Sequence, residues 1–189
     1  MDPNQKNLQL EEKTKRAWSA IFWLFGFLWA ATLLRLYRLD DFSYWDDEAK
    51  AFLVATGNTL ADVVRLTIST LPTNPPLDTF IRFFFMKLWG QTSWVFALPS
   101  LVFSLVGILS YFCLGLKCFN LRVALILAAI LSIHPIDIYF AQEARNYAIL
   151  NALVPWTVLT LFKAMSSGKR KWWALYSLLI SLLYYSHMI

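Results

Sequence analysis

Two short stretches concentrate the side chains that could do chemistry. Five of the twelve acidic residues fall between Asp40 and Glu48. Asp40 and Asp41 read as a solvated acidic loop. Asp46, Asp47 and Glu48 differ, because Trp45 precedes them and a helix-like stretch follows at once. Carboxylates in that position either cap the helix start, where its dipole favours them, or accept a proton from a hydroxyl held at a water–lipid boundary. The second stretch runs from His134 to Tyr147 and holds His134, Asp137, Glu143 and Arg145. Glu143 and Arg145 are two apart and do not face each other on a helix. Arg145 therefore points to an anion elsewhere, a loop carboxylate or a phosphate, both of which suit its planar donor fork. His134 reads as an interfacial residue rather than a ligand. A third element, Asn74-Pro75-Pro76-Leu77, is a stiff connector that either walls a cavity or simply starts a helix, since proline is welcome in a first turn.

The elements that must position these groups are apolar. The 189 residues are 58% hydrophobic and 15% charged, with a mean hydropathy of +0.51. A soluble domain carries about 25% charge, so a cytosolic enzyme, a disulfide scaffold and a disordered tail are excluded. Cys113 and Cys118 have no metal-ligand spacing. A helical crossing takes about 20 apolar residues, and five runs qualify: 17–34, 88–116, 123–140, 146–162 and 172–189. The fold expected is all-α and polytopic, with five to six transmembrane helices. A tail (1–16) precedes a transmembrane module (17–189), whose first loop (35–76) carries two amphipathic helices at 49–55 and 60–68.

The net charge of +5 fits membrane orientation rather than nucleic acid, because the basic residues flank the apolar runs. If the short 77–90 segment lies along the surface, Lys13, Lys15, Arg16, Lys117, Arg122 and Lys169 to Lys171 all face the cytoplasm. The acidic loop, the proline connector and Gln142 to Tyr147 then share one external face. A full crossing by 77–90 would place two basic turns outside.

Taken in order, three stretches resemble the polytopic GT-C glycosyltransferases that use polyprenyl-phosphate sugars, the protein O-mannosyltransferases and lipid A aminoarabinose transferases among them. These are Arg35-Leu36-Tyr37-Arg38-Leu39 with Trp45-Asp46-Asp47-Glu48-Ala49, then Asn74-Pro75-Pro76-Leu77, then Gln142-Glu143-Ala144-Arg145-Asn146-Tyr147-Ala148. The resemblance implies an inverting transfer in which the Asp47–Glu48 pair supplies the base on the acceptor hydroxyl, Asp47 foremost. It also implies that Arg145 and Arg35 hold the donor phosphate, in a pocket with Trp45, Asn74, Pro75, Pro76, Glu143 and Tyr147. The implied partners are a polyprenyl-phosphate-linked sugar, membrane lipid and an acceptor of unspecified class. The implied site faces outward from the inner membrane of the cell. Aminoarabinose transferases carry an acidic residue before the proline connector, tied there to a metal. Here that position is Asn74, so neither a divalent metal nor another cofactor is supported. Family members are longer and this chain stops within an apolar run, so an N-terminal part of such a module is expected. The alternative class is a non-catalytic membrane subunit, or a lipid-binding or transport protein.

Overall fold

A computed structural model of the chain describes residues 3–37, 39, 45–71 and 76–187. Among the described residues it holds nine helices and no strand: α1 (Pro3–Leu36), α2 (Asp46–Ala55), α3 (Leu60–Thr70), α4 (Pro76–Trp89), α5 (Ser93–Cys118), α6 (Leu121–Ile133), α7 (Pro135–Gln142), α8 (Tyr147–Ser167) and α9 (Arg170–Ser186). The chain is an all-α polytopic membrane protein.

Three helical stretches have the length and apolarity of a crossing: Thr14–Leu36 within α1, α5 and α8. On α1, Trp18, Phe22, Phe25 and Trp29 are exposed. Such a stripe is costly in water and natural in lipid. The bent pair of α6 and α7, which meet at 57°, is a fourth candidate, either one broken span or a re-entrant loop. Pro135 causes the bend: it has no N–H to continue the α6 ladder, and it drives His134 into an extended conformation (φ −66°, ψ 123°). The fifth expected span is α9. Its 17 residues up to Ser186 rise about 25 Å, at the lower limit for a crossing.

The residues bury themselves in two cores. One joins α1, α5 and α6 through Ala31, Ile108 and Ala128, with Leu24, Phe27 and Phe112 around them. Small residues set the spacing here, as they do where helices have only van der Waals contact to gain. A Cβ on Gly115 would lie 2.9 Å from the Ala124 Cα, so only glycine lets α5 and α6 approach this closely. The second core caps one end of the bundle. It gathers Ala51, Val54 and Ala55 of α2, Val63 of α3, Phe83 and Met86 of α4, Val95 and Phe96 of α5, and Ala144.

The two amphipathic helices of the first loop are α2 and α3. A reciprocal box starts α3: the Thr59 hydroxyl accepts from the Asp62 N–H at 3.2 Å, and the Asp62 carboxylate accepts from the Thr59 N–H at 3.0 Å. Helix α3 buries Val63 and leaves Leu60, Val64 and Ile68 exposed. The 77–90 segment is α4. Its 14 residues rise about 21 Å, and it turns back on α5: buried Arg82 donates to the Phe96 carbonyl and, at 2.9 Å, to the Ser100 hydroxyl.

Candidate active site

The acidic end of the first loop is fixed by its own sequence. Trp45 is extended (φ −64°, ψ 158°) and α2 begins at Asp46. Glu48, three residues into the cap motif, reaches back so that its Oε2 accepts from the Trp45 N–H at 3.0 Å. Its other oxygen, Oε1, accepts from the Ala144 N–H at 2.8 Å. Glu48 is 4% exposed. One buried carboxylate thus starts α2 and pins it to the turn between α7 and α8. Asp46 forms an exposed ion pair with Lys50 one turn on, which raises the Lys50 ammonium above its ordinary value. That leaves Asp47 at the surface, its side chain 62% exposed.

The turn opposite α2 is held from every side. Gln142 donates to the Tyr37 carbonyl at 2.7 Å, closing the end of α1. Glu143 accepts from the Tyr139 hydroxyl at 2.6 Å. The Ala144 N–H belongs to Glu48. The Arg145 carbonyl accepts from Arg82 at 3.2 Å and from the Ser100 hydroxyl at 3.3 Å. The Asn146 amide donates to the Ser186 carbonyl at the end of α9. Five consecutive residues therefore meet α1, α7, α2, the α4–α5 pair and α9.

This turn delivers Arg145 to Asp47. Arg145 Nη2 lies 3.8 Å from Asp47 Oδ2, beyond hydrogen-bond length. The Arg145 Nε is buried and has no hydrogen-bond partner, although a buried donor ordinarily has one. A cation with an unsatisfied donor beside an open carboxylate can receive an anion on one side and a hydroxyl on the other.

The other expected site residues fall into three groups. Trp45 is exposed at the start of α2, and Pro76 opens α4 at a position where its missing N–H costs nothing. Tyr147 lines a cavity of about 350 Å³ with Ser104, Tyr111, His134, Asp137 and Asn151. There Asp137 accepts from the Asn151 amide at 3.0 Å and lies 3.0 Å from His134 Nδ1, on a histidine side chain that stays 43% exposed. Asn74 and Pro75 lie outside the described residues. Arg35 is not brought to the Asp47–Arg145 pair. Its guanidinium is fully buried and donates to the Ser104 hydroxyl at 2.8 Å, the Ser132 and Leu131 carbonyls at 3.0 Å each, and the Ala31 carbonyl at 3.3 Å. The reason is Pro135. In an unbroken helix the Leu131 carbonyl would take the N–H four residues on, and proline has none. Arg35 fills that vacancy.

Arg82 with Asp78, a 2.8 Å buried ion pair, is the part of the site that sequence reading misses as a unit. The signal was present: opposite charges spaced i,i+4 inside an apolar segment. Among the described residues no three His, Cys, Asp or Glu side chains converge on a metal position.

The all-helical membrane bundle is consistent with a glycosyltransferase of the GT-C type, and it is the family comparison that places the chain there. The sequence model of the dolichyl-phosphate-mannose-protein mannosyltransferase family matches residues 73–189, and the chain belongs to that family. No curated protein and no solved structure matches it.

Proposed function

We propose that this chain transfers a sugar from a polyprenyl-phosphate donor to an acceptor hydroxyl on the external face of the cell's inner membrane, with the N-terminus in the cytoplasm. Asp47 accepts the hydroxyl proton while the oxygen attacks the anomeric carbon. The bond from that carbon to the phosphate oxygen breaks from the opposite side, which inverts the centre. The electron pair leaves with the phosphate. Arg145, whose side chain is 30% exposed beside Asp47, meets the charge as it grows there.

The observation that carries this reading is the loose Asp47–Arg145 pair. A purely structural bridge closes to hydrogen-bond length, as Asp78 and Arg82 do at 2.8 Å. At 3.8 Å, with Asp47 mostly exposed, both groups stay available to substrate. Arg35, with its donors engaged by α5 and α6, serves as a brace for the α6–α7 bend and not as a phosphate ligand. Glu48 positions the pair, its two oxygens accepting the Trp45 and Ala144 N–H groups.

The test is sugar transfer in proteoliposomes, with a mannosyl polyprenyl phosphate tried first and other sugars after it. Asp47→Asn should lower transfer about 10²–10⁴-fold and Arg145→Ala about 10²–10³-fold, with wild-type thermal stability in both. Undiminished transfer by Asp47→Asn would reduce the pair to a surface contact and sink the proposal.

A further inference from the structure

At the other end of the bundle a second cavity, of about 780 Å³, lies between α1 and the turn that joins α5 to α6. Three cations from two helices line it: Lys15 and Arg16 of α1, and Arg122 of α6. Among the described residues, Arg16 makes an ion-pair approach of 3.9 Å to Glu12, on side chains that are 78% and 73% exposed. Such an approach is weak in water, so it leaves the Arg16 charge able to attract an anion. The cavity also meets the start of α6. The Asn120 side chain takes the Val123 N–H at 3.1 Å, and the N–H groups of the first helical positions still point outward with the positive end of the helix dipole.

Polarity changes with depth. Ala20 stands one turn beyond Arg16 on α1, and Leu125 one turn beyond Leu121 on α6, and both line the same cavity. Past them, the exposed face of α1 continues as Ile21, Phe22 and Phe25. Three cations at the mouth, an apolar floor and an apolar wall running into the span match a molecule with an anionic head and hydrocarbon chains. A free phosphate would use only the first of these.

We propose that this cavity is a binding site for an anionic phospholipid of the inner leaflet, with the phosphate between Lys15, Arg16 and Arg122 and its acyl chains along α1. The site is separate from the sugar-transfer face, and its placement in the inner leaflet rests on the cytoplasmic N-terminus proposed above, whereas the binding itself does not. Its occupancy ties the N-terminal half of α1 to α6.

The test is native mass spectrometry of the whole chain in neutral detergent. The probes are dioleoyl-phosphatidylglycerol, dioleoyl-phosphatidylcholine and inorganic phosphate. The wild type should retain the anionic lipid over the zwitterionic one. The triple variant Lys15→Gln, Arg16→Gln, Arg122→Gln should lose roughly fivefold in retention per residue, on the order of a hundredfold in all. The matched variant Lys169→Gln, Arg170→Gln, Lys171→Gln removes equal charge from the α8–α9 turn and should keep the lipid. Equal loss in the two triple variants would mean diffuse electrostatics and would overturn the site, as would unchanged retention in the first. Displacement of the lipid by equimolar inorganic phosphate would reassign the cavity to a soluble anion and overturn the lipid.

Discussion

Replacing Arg82 by Met should be the most damaging single change outside the Asp47–Arg145 pair. The guanidinium is fully buried. It holds Asp78 at 2.8 Å, the Phe96 carbonyl, the Ser100 hydroxyl at 2.9 Å and the Arg145 carbonyl at 3.2 Å, and it lies 4.8 Å above the Phe96 ring. Met fills much of the volume and supplies none of these donors. The larger cost is Asp78, which is 8% exposed and already has one oxygen without a partner. Stranding such a carboxylate costs about 3–5 kcal/mol. In a chain of this size each kcal/mol moves Tm by about 2–4 °C, so the midpoint in detergent should fall by roughly 6–20 °C. The double variant Asp78→Asn, Arg82→Met removes the stranded charge as well and should recover a good part of that loss, a coupling that isolates the pair. Sugar transfer should fall further than stability alone requires, because the Arg145 carbonyl loses its clamp. A shift under about 2 °C, with no coupling between the two positions, would refute the burial of this pair and with it the account of how Arg145 is aimed.

Three further outcomes follow from other contacts. Glu48→Ala frees the Trp45 and Ala144 N–H groups together and should lower stability by about 1–3 kcal/mol for each buried donor left unmet; Glu48→Gln keeps one acceptor oxygen and should cost about half as much, both read by thermal unfolding. Gly115→Val drives a side chain into the Ala124 backbone and should cost about 1–3 kcal/mol or separate α5 from α6, seen as a lower midpoint and as slower crosslinking of cysteines placed across that contact. Arg35→Met leaves the Leu131 and Ser132 carbonyls unmet, and the companion change Pro135→Ala should rescue part of the loss by returning an N–H to Leu131; an Arg35→Met protein that is stable but unable to transfer sugar would instead return Arg35 to the phosphate.

The helices were legible because their signals are local. Apolar runs of membrane length mark α1, α5 and α8, the residues at 49–55 and 60–68 mark α2 and α3, and Pro135 marks the break between α6 and α7. The meeting of Asp47 with Arg145 was legible only through the resemblance, since nothing in the 97 intervening residues fixes a distance. The roles of Arg35 and Glu48 were not legible in any local signal. Each is decided by a tertiary partner: Arg35 by a carbonyl orphaned about a hundred residues away, Glu48 by the Ala144 N–H. Arg82 lies in the short 77–90 segment, and its hold on the Arg145 carbonyl depends on α4 turning back over the start of α5.

The capped end of the bundle separates two kinds of polar group, and the separation is what argues for chemistry there. Arg35, Glu48, Arg82, Gln142 and Asn146 are each closed by intramolecular hydrogen bonds. Closure is what burial demands, since an unmet polar group costs about 1–3 kcal/mol. Asp47 and the Arg145 Nε depart from that rule in the same place, one exposed and the other buried without a partner. A fold that closes these five neighbours and leaves Asp47 and the Arg145 Nε open holds the two apart with rigid contacts. A bound anion would complete the Arg145 fork with no movement of the turn, because the Arg145 carbonyl is already fixed by Arg82 and Ser100. Donor binding should therefore protect the Arg145–Asn146 amides from hydrogen exchange only slightly beyond their protection in the free protein, whereas a turn that ordered on binding would show a large gain.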